Sequence, residues 1–79
     1  MRATVYVRLK SEVLDPQGDA VRRALEKLGF DGVRNVRVGK LVELELDGQD
    51  AEGAKAKLTK ISDEMLANPV IEDFEIKIG

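Results

Sequence analysis

An alternation within residues 33–46, interrupted at Gly39-Lys40-Leu41, constrains this chain more than any other stretch. Val36, Val38, Val42, Leu44 and Leu46 are apolar, while Asn35, Arg37, Glu43 and Glu45 between them are polar. Successive side chains leave a strand on opposite sides, so a period of two marks a strand with one buried and one wet face. Gly39 and Lys40 stand mid-run, where a glycine can reverse the chain, and the pattern predicts two short strands folded into an antiparallel hairpin. Residues opposite each other must share a face. A two-residue loop at Gly39-Lys40 would set Val36 against Glu43. A three-residue loop over 39–41 instead sets Val38 against Val42, Val36 against Leu44, and Arg37 against Glu43 on the wet face, and is the one expected.

The flanks supply a strand and a helix each. Ala3, Val5, Val7 and Leu9 alternate with Thr4, Tyr6, Arg8 and Lys10, a first strand with one apolar face. In Asp15-Pro16-Gln17-Gly18 the proline holds Asp15 extended and is itself preset for a first helical position, which makes Asp15 a natural N-cap. Val21, Ala24, Leu25 and Leu28 share one stripe, and Gly29 follows where a left-handed residue is wanted, so a helix is expected over 16–28. Phe30 is expected to cover the end of the core. Asp47-Gly48-Gln49-Asp50 reads as a turn leading to a second N-cap at Asp50. Asp50-Ala51-Glu52-Gly53 repeats the helix-start grammar of residues 15–18. Ala54, Leu58, Ile61 and Met65 form the sheet-facing stripe of a second helix, ended by Asn68 in a left-handed cap and by Pro69. Phe74, Ile76 and Ile78 alternate with Asp73, Glu75 and Lys77 in a last strand.

The order β-α-β-β-α-β predicts a single α+β domain over residues 1–79. It is a two-layer sandwich, a four-stranded antiparallel sheet with two helices on one face, ferredoxin-like or a close variant. Strand order within the sheet stays open. A chain of 79 residues buries only about 60% of its unfolded surface. With no cysteine and no zinc-like ligand set, self-association or docking on a larger partner is the expected supplement to so small a core. Net charge is −2 with a pI near 5.1, which disfavours a nucleic-acid partner. Apolar runs stop at two or three residues and the N-terminus passes straight into a strand, so neither a membrane span nor a signal peptide is read and a cytoplasmic location is expected.

The chemical inventory is narrow. Histidine and cysteine are absent, which removes the commonest general base near neutral pH, the commonest metal ligand and the thiolate nucleophile. Ser11 and Ser62 have no visible activating base. Glu43, Glu45, Glu72 and Asp73 read as solvated strand carboxylates facing Arg37, Lys10 or Lys77, since nothing in the pattern buries a pair. Gly39-Lys40 lacks the rest of a phosphate loop. Arg34, Arg37 and Lys40 put three positive charges along and beside one strand, either as a solvated edge or as a contact for an acidic partner surface or a bound phosphate. Tyr6 alone is too little aromatic surface for stacking RNA bases.

Three stretches together resemble a known family. They are Val5-Tyr6-Val7-Arg8-Leu9-Lys10 running into Val13-Leu14-Asp15-Pro16-Gln17-Gly18; Val36-Arg37-Val38-Gly39-Lys40 with Glu43-Leu44; and Leu66-Ala67-Asn68-Pro69-Val70-Ile71-Glu72-Asp73-Phe74. In order and spacing they are similar to the PurS small subunits of formylglycinamidine ribonucleotide synthetase, from purine biosynthesis, with Phe74 where the family often has tyrosine. The resemblance implies a subunit without catalytic residues and without a bound cofactor. Its complex pairs a glutaminase subunit, which releases ammonia, with a large synthetase subunit that uses ATP and magnesium. PurS is implied to be a homo-oligomer, dimer or tetramer, that joins the two and aids ammonia transfer. Candidate partner-contact residues are Asp15, Pro16, Gln17 and Gly18, which also cap a helix; Arg34, Arg37 and Lys40; and Asn68 and Pro69, which also stop one. The alternative is a free-standing dimeric ligand-sensing or interaction module of ferredoxin-like topology.

Overall fold

A computed structural model describes residues 1–48 and 50–79; Gln49, in the expected turn before the second helix, lies outside the described residues. The described residues form three strands, β1 (Arg2–Leu9), β2 (Lys40–Glu45) and β3 (Glu72–Ile78), and two helices, α1 (Pro16–Lys27) and α2 (Ala51–Ile61). β1 is central and antiparallel to both neighbours, in the order β2-β1-β3. The alternation sets the register. Val5 lies opposite both Val42 and Ile76, and Ala3 opposite both Leu44 and Ile78, so the odd positions of β1 and the even positions of its neighbours share one apolar face. Ala3, Val5 and Val7 on that face are fully buried, with Leu58 of α2 and Ala67.

The sheet has three strands where four were expected. Residues 33–39 make no ladder with residues 40–45; the chain passes Gly39-Lys40 without reversing and enters β2 against β1, Lys40 opposite Val7. Consequently Val38 does not face Val42, and Arg37 does not meet Glu43. Asn35 takes a left-handed backbone, φ 53°, a conformation asparagine tolerates better than most residues. It breaks the extended run upstream of Val36.

The helices depart from the expected single layer. α2 packs beside β3 and buries Leu58, but α1 makes no comparable packing on any strand. It starts and stops as its sequence dictates: Asp15 caps it, and Gly29 at φ +90° closes a Schellman turn in which Phe30 donates to the Leu25 carbonyl and Gly29 to that of Glu26. The helix then projects from the sheet. Principal extents are 48 × 25 × 15 Å and the radius of gyration is 15.9 Å, against roughly 12 Å for a compact chain of this length. Phe30 is 58% exposed and covers no core.

Three smaller expectations are also corrected. Asp50 occupies the second N-cap position, but its side chain makes no capping hydrogen bond. α2 runs on into a π-helical turn, Ser62–Leu66, in which the Ala67 amide donates to the Ser62 carbonyl five residues back. That wider turn swings Met65 to the solvent side, 76% exposed, and gives its inward place to Leu66 and Ala67. Asn68 is not left-handed. Its Oδ1 accepts from the Val70 amide and its carbonyl from the amides of Ile71 and Glu72, so it stops the helix by building a turn.

Candidate partner interface

One carboxylate organises the corner between α1 and residues 33–39, the return segment that leads into β2. Pro16 locks the start of α1 and leaves Asp15 extended, φ −113°, with its side chain turned inward and only 6% exposed. Oδ1 accepts from the Gly18 amide at 2.8 Å, which caps the helix. Oδ2 accepts from the Val38 amide at 2.7 Å, which ties down the segment entering β2. A second tie runs the other way. The Arg37 guanidinium donates from Nη2 to the carbonyls of Lys10 (2.9 Å) and Val13 (2.8 Å), stapling the β1–α1 loop onto the same segment. Gly18 closes the corner, because its backbone lies so near the other chain segment that a Cβ would sit 1.9 Å from the Val36 carbonyl oxygen. Gly39 is held in the same way against the Val7 carbonyl, 2.6 Å from where its Cβ would be.

The backbone amides of Gly18 and Val38, with Arg37 nearby, hold the Asp15 carboxyl below its ordinary value of 3.8. The sign follows directly. A depressed folded pKa adds stability at pH values above 3.8, and that contribution is lost as pH falls below 3.8 through the lower folded value. Asp15→Asn can still cap through its one amide oxygen, but it gives up the charge and one of the two oxygens that accept from Gly18 and Val38. Thermal melts from about pH 6 down to about pH 2 are therefore expected to show a flatter loss of stability in the variant, with the wild type's advantage present at pH values above 3.8 and shrinking as pH falls below it. Parallel curves would mean that the carboxylate's charge does not hold the corner.

The structure brings most of the sequence-nominated residues together. Asp15, Pro16, Arg34 and Arg37 line one open cleft of about 780 Å³ between α1 and the return segment. Asp15, Pro16, Gln17 and Lys40 line a smaller groove of about 330 Å³, shared with Glu72. Asn68 and Pro69 stand apart and line neither; their link to the corner is indirect, through Glu72, whose Oε1 accepts from the Asn68 amide at 2.6 Å. The three cations do not act alike. All three are exposed, but Arg37 is spent on backbone carbonyls. On the opposite, wet side of the sheet, Arg2–Glu45, Arg8–Glu75 and Lys10–Asp73 pair across strands, and the Lys77 ammonium lies 5.7 Å from the centre of the Tyr6 ring. These solvated pairs contribute little individually.

Sequence reasoning passed over Val36, Val38 and Gly39 as members of this corner, having assigned them to a hairpin. A capped carboxylate, a guanidinium on carbonyls and tightly apposed backbones build a rigid, shaped surface.

A sequence model of the family described as PurS: Phosphoribosylformylglycinamidine (FGAM) synthase matches residues 2–79. The chain is 40% identical over 77 residues to phosphoribosylformylglycinamidine synthase subunit PurS of Methanocaldococcus jannaschii, covering 98% of this chain and 93% of that one. It is 47% identical to the Mycobacterium leprae PurS subunit over 75 residues, covering 95% and 91%. Among solved structures it is similar to a chain of PurLQS from Thermotoga maritima, with TM-score 0.86, 32% identity and coverage of 96% and 93%.

Proposed function

Because this chain belongs to the PurS family of phosphoribosylformylglycinamidine (FGAM) synthase subunits, we propose that it is the non-catalytic assembly subunit of such a complex. FGAM synthase serves purine biosynthesis. The chain joins a glutaminase subunit to a large synthetase subunit, and it aids passage of ammonia from one to the other. ATP and magnesium are used by the large subunit, not here. The chain self-associates, and the whole works in the cytoplasm. The observation that carries this reading is the match, over 96% of the chain, to one component of T. maritima PurLQS, taken with a sequence that holds neither the cysteine a glutaminase needs nor a phosphate loop for ATP. No helix among the described residues is long and apolar enough to cross a membrane. The rigid corner built on Asp15 and Arg37, and the exposed Arg34 and Lys40, are the surfaces this reading offers to the larger subunits.

The test is amidine formation by purified large synthetase and glutaminase, with and without this chain, fed glutamine or free ammonia. Glutamine-dependent turnover is expected to require the chain, and ammonia-dependent turnover to proceed largely without it. Equal glutamine-dependent rates with and without the chain would overturn the assembly role and turn attention to a free-standing ligand-sensing module, for which calorimetry with amino acids and nucleotides is the direct measurement.

A further inference from the structure

The sequence puts Arg34, Arg37 and Lys40 along one strand, and the fold divides them. Arg34 lines the cleft beside α1, whereas Lys40 and Arg37, which also borders that cleft, line a second groove of about 470 Å³ at the start of β2. There they meet two cations from other strands, Arg8 of β1 and Lys77 of β3. Four cations thus face a single carboxylate, Glu75, in a chain whose net charge is −2. No single stretch of sequence shows this, because the strand order β2-β1-β3 is what gathers them.

Most of that charge is unanswered. Glu75 engages Arg8 at a loose 3.7 Å. Among the described residues Lys40 and Lys77 make no ion pair, and the Lys77 ammonium lies over the Tyr6 ring, 5.7 Å from its centre. Arg37 gives Nη2 to the carbonyls of Lys10 and Val13, which fixes its guanidinium, while its Nε and Nη1 groups have no hydrogen-bond partner among the described residues. The floor between the cations is apolar. Tyr6 lies directly opposite Leu41 on the wet face, and the two are 37% and 52% exposed.

We propose that this groove binds a small phosphate monoester that carries a ring, a sugar phosphate or a nucleotide, with the phosphate among Arg37, Lys40 and Lys77 and the ring on Tyr6 and Leu41. A phosphate monoester bears a charge of roughly −1.5 to −2 at neutral pH and three acceptor oxygens, which suits one fixed guanidinium and two mobile ammonium groups. The groove falls within the roughly 300 to 1,000 Å³ of small-molecule sites. An extended acidic protein surface fits less well, because the same sheet face beyond the groove carries Glu43, Glu45 and Asp73, which would repel it. The positive charge is local, and so the ligand is small. Such a site is independent of the assembly role, since this chain alone supplies every group in it.

Amide chemical shifts of the full chain, followed by nuclear magnetic resonance during titration with inorganic phosphate, ribose 5-phosphate, adenosine monophosphate or adenosine, test the site. At least one of the two esters is expected to saturate with a Kd below about 1 mM in about 50 mM salt, moving the amides of Tyr6, Arg8 and Leu41, and to weaken as salt rises to about 0.5 M. Whichever ester binds more tightly assigns the ligand as sugar phosphate or nucleotide. Inorganic phosphate and adenosine, which each lack part of the ligand, are expected to bind at least about tenfold more weakly. Lys40→Gln/Lys77→Gln changes two exposed side chains without ion pairs, so it is expected to keep the folded spectrum and raise the Kd at least about tenfold. Lys55→Gln/Lys57→Gln, the same charge change at exposed positions of α2, is expected to alter it less than about twofold. Equal weakening by the two pairs would reduce the attraction to net charge and overturn the site, as would the absence of saturable shifts up to about 10 mM of either ester. Inorganic phosphate binding as tightly as both esters would overturn the role of Tyr6 and Leu41. Saturation by hexaglutamate where neither ester saturates would overturn the small ligand and give the groove to an acidic protein segment.

Discussion

Gly18→Ala is expected to lower the melting temperature by roughly 10 °C, against the usual direction for a glycine-to-alanine change in a helix. Alanine in a helix normally gains about 0.5 to 1 kcal/mol by restricting the unfolded chain and favouring helix. Here the added methyl would lie 1.9 Å from the Val36 carbonyl oxygen and 2.8 Å from its carbon, both backbone atoms that cannot rotate away. Relief requires the start of α1 and the return segment to separate, and Asp15 then cannot reach the Gly18 and Val38 amides together. Forced insertion of this kind costs about 1 to 3 kcal/mol, and in a domain of this size each kcal/mol moves the midpoint by about 4 to 8 °C. Gly53→Ala is the built-in control. Gly53 holds the same third helical position after Asp50 that Gly18 holds after Asp15, yet its added methyl would meet only the end of the Asp50 side chain, which makes no cap bond and can swing aside. Differential scanning calorimetry should find Gly53→Ala neutral or slightly stabilising. Equal effects of the two changes would show that helix propensity, and not the contact with Val36, governs position 18.

That pair of glycines also shows how far the sequence could be read. Asp15 to Gly18 and Asp50 to Gly53 present the same grammar, and each opens a helix as the pattern predicts. What the pattern does not carry is that only Asp15 reaches 23 residues along the chain to Val38. That single tertiary bond explains the largest departure. Apart from Leu41, the apolar positions stay even from Val36 to Leu46, and a continuous extended run keeps that parity just as well as a hairpin with a three-residue loop does. Local alternation therefore could not choose between them, and capture of the Val38 amide by Asp15 did. The same holds for α1. Its stripe reads as core-facing in sequence, because periodicity reports that a face is apolar and not which chain covers it. Of the candidate residues, 15–18, 34, 37 and 40 converge at one corner, and Asn68-Pro69 serves a turn beside it. Arg37 was legible as a cation but not as a staple, since its partners are carbonyls with no side-chain signature.

Leu58→Ala is expected to cost about 3 kcal/mol, the largest effect of any single truncation in the chain. Leu58 is fully buried and is the largest of the wholly buried side chains, and the described residues bury few other apolar side chains. Removing a leucine side chain from such a site forfeits the transfer free energy of its carbons and leaves a cavity, about 2 to 5 kcal/mol together. A domain of this length has roughly 4 to 12 kcal/mol in total, so the variant keeps only about 1 to 9 kcal/mol and is expected to melt at a clearly lower temperature. Met65 is the discriminating comparison. Simple 3.6-residue periodicity puts Met65 on the same stripe as Leu58, but the π-helical turn carries it to the solvent side, so Met65→Ala is expected to stay within about 0.5 kcal/mol. Chemical denaturation of the two variants reads this directly, and comparable losses would mean that the helix runs on to Met65 without the turn.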